Sequence, residues 1–540
     1  MMHGTRRSAP LARFAALAGV LALAACGGGV TSRMDGSMAE QLNRCRAASG
    51  HIYEAASFSD YIGRVRSTAQ RCGIGSRGVA ALSGIEQRAA LDTDRFPPGM
   101  APQEAALPRG EYRERTINPT RKYVEDRIEK LSGRGRELLD RHSSLLKRVE
   151  ARYGVPAEYI VAFWGVETNF GGFMGTHDVV ETLANLGHGS GRRRFFTEEL
   201  LGALILLDRG HVQRGFKGSY AGAFGHAQFM PTSYIQNAVD FDGDGRADLF
   251  GSLPDVFASI ANYEVQRGRW DSKVGRAIFE VRLPADFDHQ EADIENRRDV
   301  GHWVSRRVTL ASGAPLPGSL GQTAILLPAG CSGPAFMVTQ NFYAVMDYNP
   351  LVEYAMAVTM LAETMRAGEY RLARAWPEED ALGQGGRAEL QQALVRRGYG
   401  DLKVDGKIGR ESRTAIRRAQ ASLGQCADGY ANAALLAALE SGDRRPSFAR
   451  QDATPREFPR QEREAAPRRD ADRREIERQD ATPRRGFFPA AASTKTFAPA
   501  PRAKPAPKAK PAPKAKPAAL KKKPKAKPKK SKRPRYDDDD

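Results

Sequence analysis

Hydrophobic periodicity runs through most of this 540-residue chain and stops near residue 440. The residues beyond that point cannot build a core. Residues 441–500 are charged, and Arg-Gln-Asp-Ala-Thr-Pro-Arg occurs twice, at 450–456 and 478–484. From Pro499 onward the residues are mainly Lys, Pro and Ala, with four Asp at the end. Such a composition buries too little apolar area to offset the entropy lost on ordering, so 441–540 is expected to be a disordered tail. The tail also accounts for most of the charge. Its last forty residues hold 16 Lys or Arg against four Asp, within a total of +19. The remaining body is only mildly basic, so charge says little about what the folded part binds.

The first residues read as an export signal. Arg6 and Arg7 precede an apolar run from Leu11 to Ala25. That run is short for a membrane span, which needs about 20 apolar residues, and suits the core of a signal peptide. It ends in Leu23-Ala24-Ala25-Cys26-Gly27. This resembles the lipobox of bacterial lipoproteins, which implies cleavage after residue 25, a lipid on Cys26 and a linker over 26–39. Gly27 in place of Asp implies sorting to the periplasmic face of the outer membrane. Cys45, Cys72, Cys331 and Cys426 remain, an even number for an oxidising compartment. Cys45 with Cys72 is the simplest local pairing, but four cysteines allow three connectivities. No Cys-x-x-Cys pair occurs, which argues against a zinc ribbon or a redox motif.

From about 40 to 376 the pattern is mostly helical. Asp140 to Tyr153 and Pro156 to Glu167 place apolar residues at three- and four-residue spacing. The most informative segment is Val161-Ala-Phe-Trp-Gly-Val-Glu-Thr-Asn-Phe-Gly-Gly172. It sets Glu167 at the end of an apolar helix, among Phe163, Trp164 and Phe170. A carboxyl walled by aromatics is poorly solvated, which favours its neutral form and raises its pKa. Such an acid can protonate a glycosidic oxygen near neutral pH. A second segment, Ser219-Tyr-Ala-Gly-Ala-Phe-Gly-His-Ala-Gln-Phe-Met-Pro-Thr-Ser-Tyr234, interleaves small, polar and aromatic residues. Its Ser219, Gln228 and Tyr234 offer hydrogen bonds to sugar hydroxyls or acetamido groups. Ile260-Ala-Asn-Tyr263 adds Asn262 and Tyr263, and Asn341-Phe-Tyr343 through Asp347-Tyr-Asn-Pro350 to Tyr354 adds further aromatics.

Taken in order, Gly-Val-Glu-Thr-x-Phe-Gly, Ser-Tyr-Ala-Gly-Ala-x-Gly-x-x-Gln-Phe-Met-Pro, an Asp-Gly-Asp-Gly stretch, Ala-Asn-Tyr and Tyr-Asn resemble the family of membrane-bound lytic murein transglycosylase B over roughly 50–376. The resemblance implies a mainly α, lysozyme-like transglycosylase domain over 40–376. It also implies cleavage of the β-1,4 bond between N-acetylmuramic acid and N-acetylglucosamine in peptidoglycan, leaving a 1,6-anhydromuramyl end. The family's catalytic Glu falls on Glu167, its glycan-contacting Ser and Gln on Ser219 and Gln228, and its tyrosines on Tyr263 and Tyr348. Asn262 lies beside them. Phe224, Arg269 and Pro350 depart from the usual pattern, which bears on the shape of the sugar subsites rather than on the acid.

One carboxyl suffices for this chemistry. A hydrolytic glycosidase normally needs two. In a transglycosylase the muramyl 6-hydroxyl is the internal nucleophile, and no metal or organic cofactor is required. Two rivals share these sequence features: a non-catalytic peptidoglycan-binding scaffold lipoprotein, and a hydrolytic muramidase with Asp178, Glu181 or Asp240 as second carboxylate.

Asp240-Phe-Asp-Gly-Asp-Gly-Arg-Ala-Asp248 reads as the start of an EF-hand-like loop. Asp240, Asp242 and Asp244 fall on its first, third and fifth positions and the Arg246 carbonyl on the seventh. The twelfth position is Gly251, so Asp255 is expected to complete the set as in the family, and any calcium here would be structural. Residues 381–440 contain Gly398-Tyr399, Asp405-Gly-Lys-Ile-Gly409, Thr414-Ala-Ile416 and Asp428-Gly429. They resemble the small three-helix peptidoglycan-binding domain found beside cell-wall hydrolases. Expected partners are peptidoglycan glycan strands and, through the lipid anchor, a membrane. Nucleic acid would suit the basic tail but not an exported chain.

Overall fold

The computed structural model describes residues 36–88, 119–378 and 381–441. The export signal 1–25, Cys26, most of the linker 26–39 and nearly all of the tail 441–540 lie outside the described residues. Helix α1 (Gly36–Ala47) already starts within the range read as linker. It is followed by α2 (Phe58–Arg71), and a disulfide between Cys45 and Cys72 ties the two.

The span from Asp140 to Tyr153, read as one helix, is divided at His142. There α3 (Pro119–Arg141) stops and α4 (Ser143–Tyr153) starts. Gly154 ends α4 with a left-handed φ of 70°, a conformation that strains a side-chain-bearing residue. Pro156 then precedes α5 (Ala157–Thr168), where a missing N–H does no harm. Tyr159 to Gly165 are all buried. A helix that is apolar all round must lie inside a core rather than on a surface. It does so: α6 (Val179–Gly189), α7 (Arg193–Arg209), α8 (Pro231–Asn237), α9 (Leu253–Gln266), α10 (Gln340–Tyr348) and α11 (Val352–Ala367) complete the helical body, and α5 packs against both α3 and α11. Between α5 and α8, a short antiparallel pair joins β1 (His177–Asp178) to β2 (Lys217–Gly218).

The mainly helical reading misses one element. Residues 278–338 hold a five-stranded antiparallel sheet, β3 (Ile278–Arg282), β4 (Arg298–Asp299), β5 (Thr309–Leu310), β6 (Gln322–Leu326) and β7 (Ala335–Val338), in the order β4-β6-β7-β3-β5. Register pairs Ile278 with Val338 and Ala324 with Val338. Alternation along the strands decides which core each side chain joins. Ile278, Ala324, Phe336 and Val338 face the helical body. Phe279, Val281, Ile325 and Met337 face a second cluster around Trp303. A sheet apolar on both faces gives near-continuous short apolar runs that periodicity cannot tell from buried helix.

The small unit is three helices, α12 (Gln384–Arg396), α13 (Arg410–Ser422) and α14 (Ala433–Ser441), around Leu390, Leu394, Ile416 and Leu435. Two Asp-Gly turns are each held by a buried glutamine. Gln391 accepts from the backbone N–H groups of Asp405 and Gly406, and Gln420 accepts from that of Gly429. The second turn docks on the body: Asp428 accepts from the Cys331 amide at 2.8 Å, and Cys331 is disulfide-bonded to Cys426.

Candidate active site

Glu167 occupies the last turn of α5. The chain must leave the helix sharply there, and Asn169 and Phe170 do so with φ values of 50° and 57°. The turn folds Phe170 back over the helix, where a Cβ on Gly165 would meet its ring at 2.8 Å. Phe170 also packs edge-on against Trp164, centroids 5.4 Å apart. Two side chains brace the turn. Thr168 Oγ1 accepts from the Gly171 amide and donates to the His226 carbonyl, and Trp164 Nε1 donates to His226 Nδ1 at 2.8 Å. The two most informative sequence segments, 161–172 and 219–234, are therefore one physical unit.

The Glu167 carboxyl is surrounded by protein while part of the residue stays accessible. Burial lifts its pKa from the ordinary 4.5 to about 7, against the opposing effect of a hydrogen bond from Tyr354. That bond, from the Tyr354 hydroxyl to Glu167 Oε1, is 2.5 Å long. Desolvation wins because one hydroxyl replaces only part of a carboxylate's hydration. An acid with a pKa near 7 is roughly half protonated at neutral pH, so it can give a proton and take one back.

Around it stands the aromatic wall. Phe163 lies 4.8 Å from Tyr348, and Tyr348 lies 4.7 Å from Tyr263 and 6.0 Å from Phe229. The tyrosine hydroxyls are turned to backbone: Tyr263 donates to the Asp347 carbonyl at 3.0 Å, and Tyr348 donates to that of Ala227. What these tyrosines offer a ligand is ring surface. Gln228 sits at a left-handed φ of 47° and its amide nitrogen donates to Gly225 and Met174 carbonyls, which fixes the side chain. Ser219 Oγ accepts from the Ala221 and Ala223 amides, so its hydroxyl hydrogen is left to donate. Asn262 is placed differently: its amide donates to the Asn237 carbonyl and ties α9 to the end of α8. Glu264, beside Tyr263, is wholly buried with no hydrogen-bond partner for either oxygen among the described residues. Burial, with the nearby Asp347 charge, holds it well above the ordinary carboxylate range.

The aspartate-rich loop brings Asp240, Asp242 and Asp244 together, with one oxygen of each within 4.8 Å of the others. Asp255 is not part of this cluster. It is fully buried and accepts from the amides of Phe241 and Asp248, bracing the loop from beneath. The Arg246 side chain pairs with Asp248 at 2.8 Å. Three carboxylates with a glycine-rich backbone form a donor set of hard oxygens, which suits calcium rather than a thiophilic metal.

Against known proteins, the profile of the transglycosylase SLT domain matches residues 57–363. The chain belongs to this family. A peptidoglycan binding domain profile matches residues 384–439. Membrane-bound lytic murein transglycosylase B of Escherichia coli (strain K12) is 33% identical over 230 residues, which are 42% of this chain and 61% of that protein. The match thus spans less than two thirds of that relative. The crystal structure of SltB3 from Pseudomonas aeruginosa in complex with NAG-anhNAM-pentapeptide superposes with a TM-score of 0.64 at 39% identity, covering 72% of this chain and 100% of that one. Its complex with NAG-NAM-pentapeptide gives 0.63 at 38% identity, over 71% and 100%. Within this SLT fold, Tyr354, which the sequence offered only as one more aromatic, gains a role. A tyrosine in the first turn of an apolar helix reads as core, and it is indeed 2% exposed. Only the packing of α11 against α5 reveals that its hydroxyl meets Glu167.

Proposed function

We propose that this chain is a lytic murein transglycosylase that cleaves the β-1,4 bond between N-acetylmuramic acid and N-acetylglucosamine. The observation that carries this reading is the Glu167 carboxyl, held near pKa 7 by burial and hydrogen-bonded by Tyr354. Protonated Glu167 gives its proton to the glycosidic oxygen as the bond to the muramyl C1 breaks. The muramyl 6-hydroxyl then attacks C1, its proton returns to the Glu167 carboxylate, and a 1,6-anhydro ring closes. Ser219 and Gln228 contact the glycan, and Tyr263 and Tyr348 present the ring surfaces against which it lies.

The hydrolytic alternative needs a second carboxylate. Asp178 caps α6 by accepting from the Glu181 amide, Glu181 pairs with Arg88 at 2.7 Å, and Asp240 belongs to the aspartate loop. Glu264 is too buried to reach a substrate. A scaffold without activity would have no use for an acid tuned in this way. Support for envelope location comes from the Cys26 lipobox and from the membrane-bound relative, and we assign Cys26 as the lipid attachment point. No described helix is long and apolar enough to cross a membrane. We also assign Asp240, Asp242 and Asp244 as ligands of a structural calcium ion, which would cross-link the loop between α8 and α9. The test of the main reading is muropeptide release from purified sacculi, read by mass spectrometry. Anhydromuropeptides are expected from the wild type and not from Glu167→Gln, and products one water heavier would favour hydrolysis instead.

A further inference from the structure

We propose that the cavity between the small three-helix unit and the catalytic body receives the free amino-acid head of a peptide stem carried by the glycan strand. The inference rests on the transglycosylase reading. The cavity has a volume of about 240 Å³, and Leu326 and Glu353 from the body and Arg387, Ile408 and Arg417 from the small unit are among its walls. It is pre-formed. The Cys331–Cys426 disulfide crosses the junction, Asp428 accepts from the Cys331 amide, and Arg413 and Arg417 both bind Asp293, at 3.2 and 3.0 Å.

Two charged side chains lining the cavity, Arg387 and Glu353, have neither an ion pair nor a side-chain hydrogen bond among the described residues. Asp293 is taken by the two arginines, and Asp428 by Gln420 and by the Tyr430 and Cys331 amides. Arg387 has no ion-pair partner among the described residues, and its Nε is buried without an acceptor. Arg417 Nε is likewise buried without one. Glu353 lines the same space and has no ion pair among the described residues. Buried guanidinium donors without acceptors are costly, and an entering carboxylate would satisfy them in fork geometry. The unpaired Glu353 carboxylate would meet an ammonium. A phosphate would be repelled by Glu353, and a neutral sugar would leave both charges unmatched. The head of a diamino acid, one carboxylate beside one ammonium, matches both.

Position supports the same ligand. Glu353 and Tyr354 are consecutive residues in the first turn of α11, with Cα atoms about 3.8 Å apart. One turn of helix thus serves the cavity with Glu353 and the catalytic acid with Tyr354. A stem on a muramyl residue near the cleft is the part of the substrate that carries free carboxylates and amines.

The test uses the full chain and the tripeptide L-alanyl-γ-D-glutamyl-meso-diaminopimelate, with binding followed by calorimetry. Saturable binding is expected in the wild type, weakened at least tenfold in Arg387→Ala and in Glu353→Gln, and less in Arg387→Lys, which keeps the charge but not the fork. Turnover is measured in parallel. On peptide-bearing sacculi Arg387→Ala should raise KM with kcat unchanged, and on peptide-free glycan strands it should match the wild type. No saturable peptide binding by the wild type, or equal binding by folded Arg387→Ala, overturns the proposal. So does loss of peptide-free glycan binding in that variant, which would make the cavity a sugar site. If Arg387→Ala fails to fold, Glu353→Gln and Arg387→Lys decide on the same criteria. A wild type that binds the tripeptide but releases nothing from either substrate would refute the transglycosylase reading and leave the peptide site standing.

Discussion

Replacing Glu167 by Gln should do two opposite things, and both stem from its burial. Gln is nearly isosteric and can still accept the Tyr354 hydroxyl, so the fold is retained. It cannot give and recover a proton. General acid–base catalysis is worth about 10²–10⁴-fold, and with acid and base roles on one carboxyl the loss should be near 10⁴-fold or beyond. Stability should move the other way at alkaline pH. The Glu167 pKa is raised in the folded protein, from 4.5 to about 7. A raised group contributes its full stabilisation below the unfolded value and loses it as pH climbs through the folded value. The distance between the two values corresponds to roughly 3 kcal/mol, an upper figure because local relaxation and water entry reduce it. The wild type should therefore lose up to this amount between about pH 4.5 and pH 8, and Glu167→Gln should not. At pH 8.5 the variant should melt several degrees higher, roughly 5 °C on ordinary scaling, while at pH 4 the two should coincide. Thermal melts at both pH values, beside muropeptide release at pH 6.5, make the measurement. A folded variant that still releases anhydromuropeptides at near wild-type rate would refute the catalytic assignment. An equal stability difference at pH 4 and pH 8.5 would refute the burial argument.

Tyr354→Phe removes the hydrogen bond that opposes the raised pKa of Glu167. The alkaline limb of the pH–rate profile should shift to higher pH and the maximal rate should fall by about tenfold; an unmoved limb would mean that the hydroxyl does not act on the acid. Calcium should raise the melting temperature of the wild type, since a ligand bound only by the folded state stabilises it, and Asp242→Asn with Asp244→Asn should abolish the rise. Absence of any calcium effect in the wild type would reduce the loop to a hydrogen-bonded turn. Labelled palmitate should enter the wild type and not Cys26→Ser in cells, and equal labelling of both would remove the lipid anchor.

Much of the site was legible in the sequence because its determinants are local. An apolar helix ending in Glu167 before a Gly-rich break places a carboxyl among aromatics whatever else the chain does. The break itself needs Gly165 and Gly171 close to Phe170 and His226, and the two motifs carry those residues. Helix boundaries at Gly154 and Pro156 were equally local, being matters of backbone conformation. The sheet over 278–338 was not legible, because short strands buried on both faces carry no alternation. Tyr354 was named only as one more aromatic, without a role, because a buried tyrosine on a helix looks the same whether its hydroxyl meets a backbone carbonyl or a carboxyl. Asp255 was expected in the metal loop from the family resemblance, and only the fold shows that it lies buried and accepts from the backbone amides of Phe241 and Asp248. The sequence by itself determined where the candidate acid stands, since the identity and setting of Glu167 are written within a dozen residues. Tertiary structure alone decided how strongly that acid holds its proton and what lies beside the second domain. Desolvation, the Tyr354 hydrogen bond and the unpaired charges of Arg387 and Glu353 arise only when segments more than thirty residues apart come together.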